Sequence, residues 1–201
     1  CWAGEVKNVS ILVAIGVDQD GYRHVLGVQE GAKEDKESWQ KFLRHLKSRG
    51  LKGVKLFISD KCLGLVESLV DFYPNAQWQR CVVHFYRNVF TAVPKGRVKE
   101  VAAMLKAIHA SEDLTAAMEK AEAVCGKLNG LKLKEAAKKI QESIGETFTY
   151  YEFPREHRVR IRTNNALERI MREIEFSENE PGFYMHYEDK FLKELGVCSL
   201  R

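Results

Sequence analysis

Asp60 stands where an apolar run stops. In VKLFISDKCLGL, residues 54–65, four of the five residues before Ser59 are apolar, and Gly64 and a second apolar run, LVESLVDF, follow the acid. An acid at the C-terminal end of a buried strand is where α/β proteins place metal ligands and catalytic groups. The same residue could equally cap the next helix, accepting hydrogen bonds from its first N–H groups. On these twelve residues alone the cap is the simpler reading. Three more features carry potential chemistry. RCVVHFYRN sets Cys81 and His84 at a C-x-x-H spacing. A structural zinc needs four ligands, and no second such pair follows, so a small buried thiol and a satisfied histidine is the simpler account. RTNNALERIMREI holds Glu168 in an Arg-rich helical pattern, where by itself it reads as a solvated partner of Arg172 four residues on, with Glu173 its nearest competitor. Arg155, Arg158, Arg160, Arg162, Arg169 and Arg172 form the densest basic stretch. Such runs are usually solvated surface, but beside a carboxylate site they suit phosphate.

Positioning these groups requires a core, and 201 residues suffice for one core with an insertion. Hydrophobic residues make up 45% and charged residues 30%, an ordinary globular balance, and no apolar run approaches the ~20 residues of a membrane helix. No secretory signal is visible, and five cysteines without a C-x-x-C pair point to reduced thiols in the cytoplasm. The chain opens CWAGEV rather than with Met and reads as a piece of a longer protein. Residues 1–174 carry 29 Lys and Arg against 22 Asp and Glu, whereas residues 175–201 carry three against six. A modestly basic body suits a polyanion such as DNA.

The periodicities predict strands over 11–17 and 24–28 around the turn pair Asp20-Gly21. A helix with Trp39, Phe42, Leu43 and Leu46 on one face follows, ending near Gly50. A strand over 56–59, a helix and a strand over 79–83 come next. Residues 98–150 read as wholly helical, with Ser111 and Asp113 as cap candidates. The last helix of this pattern is RTNNALERIMREI, with caps among 163–165. Trp39, Phe42, Trp78 and Phe85 read as core aromatics. The fold class is therefore α/β, a mixed sheet interrupted by an all-helical insertion. The expected segments are 1–97 for the core, 98–154 for the insertion, 155–174 for a return helix and 175–201 for a divergent acidic tail.

In their order, GVDQDGYRHVLGV, GAKEDKESW, SDKCLGLVESL, FYPNAQWQRCVVHFYRNV and RTNNALERIMREI resemble the Mutator-type transposases, including their bacterial insertion-sequence branch. The resemblance covers residues 1–174. It implies an RNase H-like fold and DDE chemistry, in which two Asp and one Glu hold two divalent ions, Mg2+ or Mn2+. It implies that Asp60 is the second carboxylate and Glu168 the third, and that the C-x-x-H pair, Cys81 and His84, is a family signature. It also implies DNA as partner, both element ends and target, a homo-oligomer on that DNA, and a nucleoid-associated cytoplasmic location.

The departures matter as much. In that family the first Asp lies on a strand preceding the segment that here begins with Cys1, and no residue of this chain matches it. Asp18 and Asp20 belong to the hairpin turn. The missing strand normally lies between the second and fourth, so its loss is expected to leave two exposed edges and a chain inactive alone. After Ile174 the family's Arg-rich helix gives way to an acidic segment broken by Pro181-Gly182. A non-catalytic remnant that binds DNA or protein, and a nuclease without strand transfer, are the alternatives.

Overall fold

The computed structural model describes residues 10–18, 22–31, 35–164 and 195–200. Its contacts divide into two units, residues 1–78 with 164–201, and residues 79–163.

The first unit opens with a hairpin of β1 (Ser10–Asp18) and β2 (Arg23–Gly31), paired antiparallel with a bulge after Ala14. Asp18 closes it: its carboxylate accepts from Tyr22 N at 2.8 Å and lies 2.8 Å from His24 Nε2. That acid therefore serves the turn, as its place in the sequence suggests. Helix α1 (Lys36–Ser48) starts at Asp35, whose carboxylate accepts from Ser38 N, and buries Trp39, Phe42, Leu43 and Leu46. It ends as its sequence predicts. Gly50 takes φ 95°, Gly50 N bonds to Lys47 O, and Leu51 N bonds to Leu46 O, which together form a Schellman stop. The apolar face of α1 packs with Leu12, Ala14 and Leu26 of the hairpin. Gly27 lets it close in, since a Cβ there would meet Leu46 Cδ2 at 3.0 Å.

Next come β3 (Leu56–Ser59), α2 (Leu63–Phe72) and β4 (Gln77–Arg80), which starts in this unit. All four residues of β3 are buried, the mark of a strand covered on both faces. A fifth strand, β5 (Leu195–Leu200), comes from the segment expected to be a divergent tail. The sheet order is β2-β1-β5-β3-β4. β5 runs antiparallel to β1, with Ala14 opposite Leu200, and parallel to β3, with Phe57 opposite Cys198. The expectation of two exposed edges between β1 and β3 is thus overturned: both edges are hydrogen-bonded to β5. Sequence order could not show this, because the partner comes from the far end of the chain.

The second unit is helical: α3 (Val82–Phe90), α4 (Val98–His109), α5 (Leu114–Gly130), α6 (Lys134–Ser143) and α7 (Arg155–Ile161), with 3-10 turns at Lys95–Arg97, Ile144–Thr147 and Thr149–Glu152. No strand falls within residues 98–150, in agreement with their periodicity. Asp113 caps α5, accepting from Ala116 N at 2.8 Å. Val101, Leu105 and Ile108 of α4, Ala117, Ala121 and Leu128 of α5, and Ala136, Ala137 and Ile140 of α6 are all buried. The alanines admit close helix approach.

At the foot of α4, His109 is buried and bonded on both nitrogens: Nδ1 is 2.9 Å from Tyr86 Oη and Nε2 is 2.9 Å from Thr147 Oγ1. Burial drives its pKa down to about 4, so the ring is neutral. The predicted strand over 79–83 is corrected here. It runs from Gln77 to Arg80, and Val82 already begins a helix. Helix α7 lies at the start of the return helix expected over 155–174 and ends at Ile161; residues 165–174 lie outside the described residues. Among the described residues no helix is long and apolar enough to cross a membrane.

Candidate active site

Asp60 follows directly on β3, and its side chain is exposed. It does not cap α2. The N-cap of that helix is Cys62, and no side chain caps it. The Asp60 carboxylate accepts one hydrogen bond, from Lys61 N to Oδ1 at 2.7 Å. Oδ2 has no partner among the described residues. Of the two roles open to an acid at this point, the structure removes the cap and leaves a carboxylate with a free oxygen on a strand end.

The backbone beneath it is held firmly. Trp78 Nε1 donates to Ser59 Oγ at 2.9 Å, and Ser59 Oγ donates to the Asp60 carbonyl at 2.8 Å. Cys62 N donates to the same carbonyl at 3.1 Å. Ser59 is buried, so its hydroxyl relays the Trp78 bond without competition from water. Neither residue stood out in sequence. Trp78 read as a plain core aromatic, but it is only partly buried and its polar edge is in use. A serine immediately before a strand-end acid was the available signal.

Behind this, Gly64 brings the start of α2 against the start of α1. A Cβ at Gly64 would stand 2.7 Å from Lys36 N and 2.9 Å from Lys36 Cα. Ser68 Oγ ties back to Gly64 O at 2.6 Å, and Lys36 Nζ meets Glu67 at 2.9 Å. The loop carrying Asp60 is therefore short and anchored at both ends.

A hard divalent cation suits this acid: it takes carboxylate oxygens, and Oδ2 is open to it. Its expected partner, Glu168, lies outside the described residues, as do Arg169 and Arg172. Among the described residues no three His, Cys, Asp or Glu side chains gather as a metal centre would require.

The remaining candidates are in the helical unit. Cys81 is buried at the N-cap of α3, and His84, half-buried, is in the first turn of that helix. The C-x-x-H spacing thus becomes one helical turn. The arginines split by exposure. Arg158 donates from Nε to Phe153 O at 2.9 Å and from Nη2 to Tyr151 O at 2.8 Å, and its guanidinium stacks 5.2 Å over the Tyr151 ring. Arg162 donates to His109 O at 2.9 Å, and its own carbonyl accepts from Val82 N at 3.0 Å. Both hold the helical unit together. Arg155 and Arg160 are exposed, with no hydrogen bond or ion pair among the described residues, and of the four described arginines of this row they are the two open to phosphate.

Sequence comparison agrees with the order of motifs. The chain is 36% identical over 172 residues to the transposase for insertion sequence element ISRM5 of Rhizobium meliloti, covering 86% of this chain and 43% of that protein. It is 34% identical over 170 residues to the transposase for IS256 in transposon Tn4001 of Staphylococcus aureus, covering 84% and 43%. It is 35% identical over 172 residues to the transposase for IS1081 of Mycobacterium tuberculosis, covering 86% and 41%. The chain thus spans about two-fifths of the length of these relatives. The family described as "Transposase, Mutator family" matches residues 2–186, and the chain belongs to that family.

Proposed function

We propose that this chain is the core of the catalytic domain of a DNA transposase, built on an RNase H-like sheet and acting by DDE chemistry on the ends of an insertion sequence and its target DNA. The observation that carries this reading is Asp60: a strand-end acid with a free oxygen and no capping duty, in a chain whose family is that of transposases. Asp60 and Glu168 hold divalent cations, Mg2+ or Mn2+, in this reading. Two such ions, when bound, activate an attacking oxygen and steady the leaving oxygen of a phosphodiester.

The protein's own contribution is placement. Ser59 and Trp78 fix the backbone of Asp60, so the carboxylate meets its cation with little reorganisation. Arg155 and Arg160 bind DNA phosphates. The working form is a homo-oligomer on DNA. Two carboxylates bring two negative charges to a pair of ions carrying four positive ones, so these 201 residues alone bind DNA without cutting it. The remnant reading differs in holding that no longer form cuts either.

A supercoiled-plasmid nicking assay with Mg2+ or Mn2+ tests this. One arm is the 201-residue chain. The other is a chain extended at its start by the family's aspartate-bearing strand and lacking residues 175–201, so that the place of β5 is open. The extended form nicks, and Asp60→Ala or Glu168→Ala abolishes the activity. Nicking by the 201-residue chain that Asp60→Ala removes would refute its inactivity. An extended form that nicks despite Asp60→Ala sinks the site, and one that never nicks favours the remnant.

A further inference from the structure

One end of the helical unit gathers unpaired positive charge. The Schellman stop of α5 brings its end to the start of α6, with Leu133 N on Leu128 O at 2.9 Å and Lys132 N on Asn129 O at 3.0 Å. Arg97, just before α4, donates from Nη1 to Leu131 O at 3.5 Å, bringing the start of α4 to the same place. Three helix ends therefore meet, and they carry Lys95, Arg97 and Lys99 from one side and Lys127, Lys132 and Lys134 from the other. All five lysines are exposed, and none of their ammonium groups has a partner among the described residues. Two acids accompany them. Glu100 is engaged by Arg97 at 3.3 Å, and Glu135 is exposed.

The positions are unfavourable for the fold itself. Lys99 and Lys134 sit in the first turns of α4 and α6, where the helix dipole disfavours cations. Lys132 holds a left-handed backbone, φ 61°, at a helix stop where glycine fits without strain. The dipole accounts for Lys127 and Lys132 at the end of α5 but not for the others. Cations that the fold does not use, clustered and solvated, form the electrostatic footprint of a polyanion.

We propose that this basic end of the helical unit is a second DNA-backbone contact, separate in sequence from the arginine row and reading phosphate rather than bases. The proposal rests on the DNA-binding reading above and adds the surface that tracks the duplex. The measurement is fluorescence anisotropy of the 201-residue chain with a labelled duplex of arbitrary sequence, across a salt series. Lys95→Gln/Lys132→Gln/Lys134→Gln is compared with Lys106→Gln/Lys120→Gln/Lys138→Gln, which removes equal charge elsewhere in the same unit.

The patch variant loses roughly tenfold in affinity, and its log–log salt slope shrinks by about 2 to 3, near 0.9 for each phosphate contact removed. Its thermal midpoint changes little, because the dipole gain from removing Lys134 at the start of α6 is offset by the loss of Lys132 at the end of α5. The control variant changes little. Equal losses in both variants, or none in the patch variant while Arg155→Gln/Arg160→Gln abolishes binding, would overturn the patch alone. A wild-type chain that fails to bind duplex overturns both readings.

Discussion

Gly64 lies so close to Lys36 that a side-chain carbon on it would stand 2.7 Å from the Lys36 backbone nitrogen. Backbone cannot yield as a flexible side chain does, so Gly64→Ala must push α1 and α2 apart. The expected cost is about 2 kcal/mol in urea unfolding, in the range for overpacking a tight contact. Gly126 gives the opposite outcome. It lies inside α5 with nothing within 4 Å of a Cβ, so Gly126→Ala gains up to ~1 kcal/mol from helix propensity. Two glycine-to-alanine changes of the same sign would show that the Gly64 contact is not as described.

Asp60 and Asp35 are both acids ahead of helices, yet only Asp35 bonds to a helical N–H. Asp35→Ala should lower stability by ~1 kcal/mol, the usual worth of a cap. Asp60→Asn should leave the unfolding midpoint unchanged while reducing Mn2+ binding, followed by calorimetry on an extended form of the chain. A comparable stability loss at Asp60 would return it to the role of a structural acid.

The arginine row separates by the same logic. Arg158→Ala removes two short bonds to carbonyls and a ring contact, and should destabilise the chain by ~2 kcal/mol. Arg160→Ala should change stability by no more than about 0.5 kcal/mol, as surface substitutions do, and weaken DNA binding instead. Thermal melts and a binding isotherm on the two variants check this, and a stable Arg158→Ala protein would show that its carbonyl bonds carry little.

His109 makes the protein acid-sensitive above the carboxylate range. Burial lowers its pKa from 6.5 to about 4, so the folded chain refuses a proton that the unfolded chain accepts. The unfolded state therefore gains as pH falls through that window. Stability from this residue is complete above about pH 6.5 and declines toward pH 4, by ~3 kcal/mol at most. His109→Gln, which can still bond Thr147, should flatten the change in urea midpoint between pH 7 and pH 4.5 relative to wild type. An identical pH profile in the two proteins would refute the burial argument.

Where periodicity and burial agree, the sequence was readable. Residues 56–59 form an apolar stretch that stops at an acid, and they are the strand. The Ala-rich, charged stretch after Val98 is helical throughout its ordered turns. Gly50 and Asp113 do the local work their types allow. What escaped depends on partners distant in sequence. The strand expected over 79–83 was legible but its bounds were not: it takes in the polar QWQR and stops where Val82 begins a helix. LGVCSL sits in an acidic region and becomes a strand only through two neighbours from the far end of the chain. At the site, the position of Asp60 was legible. Its freedom from the helix, and the Ser59–Trp78 support beneath it, required coordinates.

The placing of β5 sets an order on biosynthesis. The helices of the second unit meet through neighbours close in sequence and can form as they leave the ribosome. β1 is made long before β5, yet they are hydrogen-bonded partners. Until Leu195–Leu200 emerges, β1 and β3 each present an open edge to the crowded interior of the cell, and the nascent chain depends on a chaperone, or on speed, to keep them from pairing with strangers.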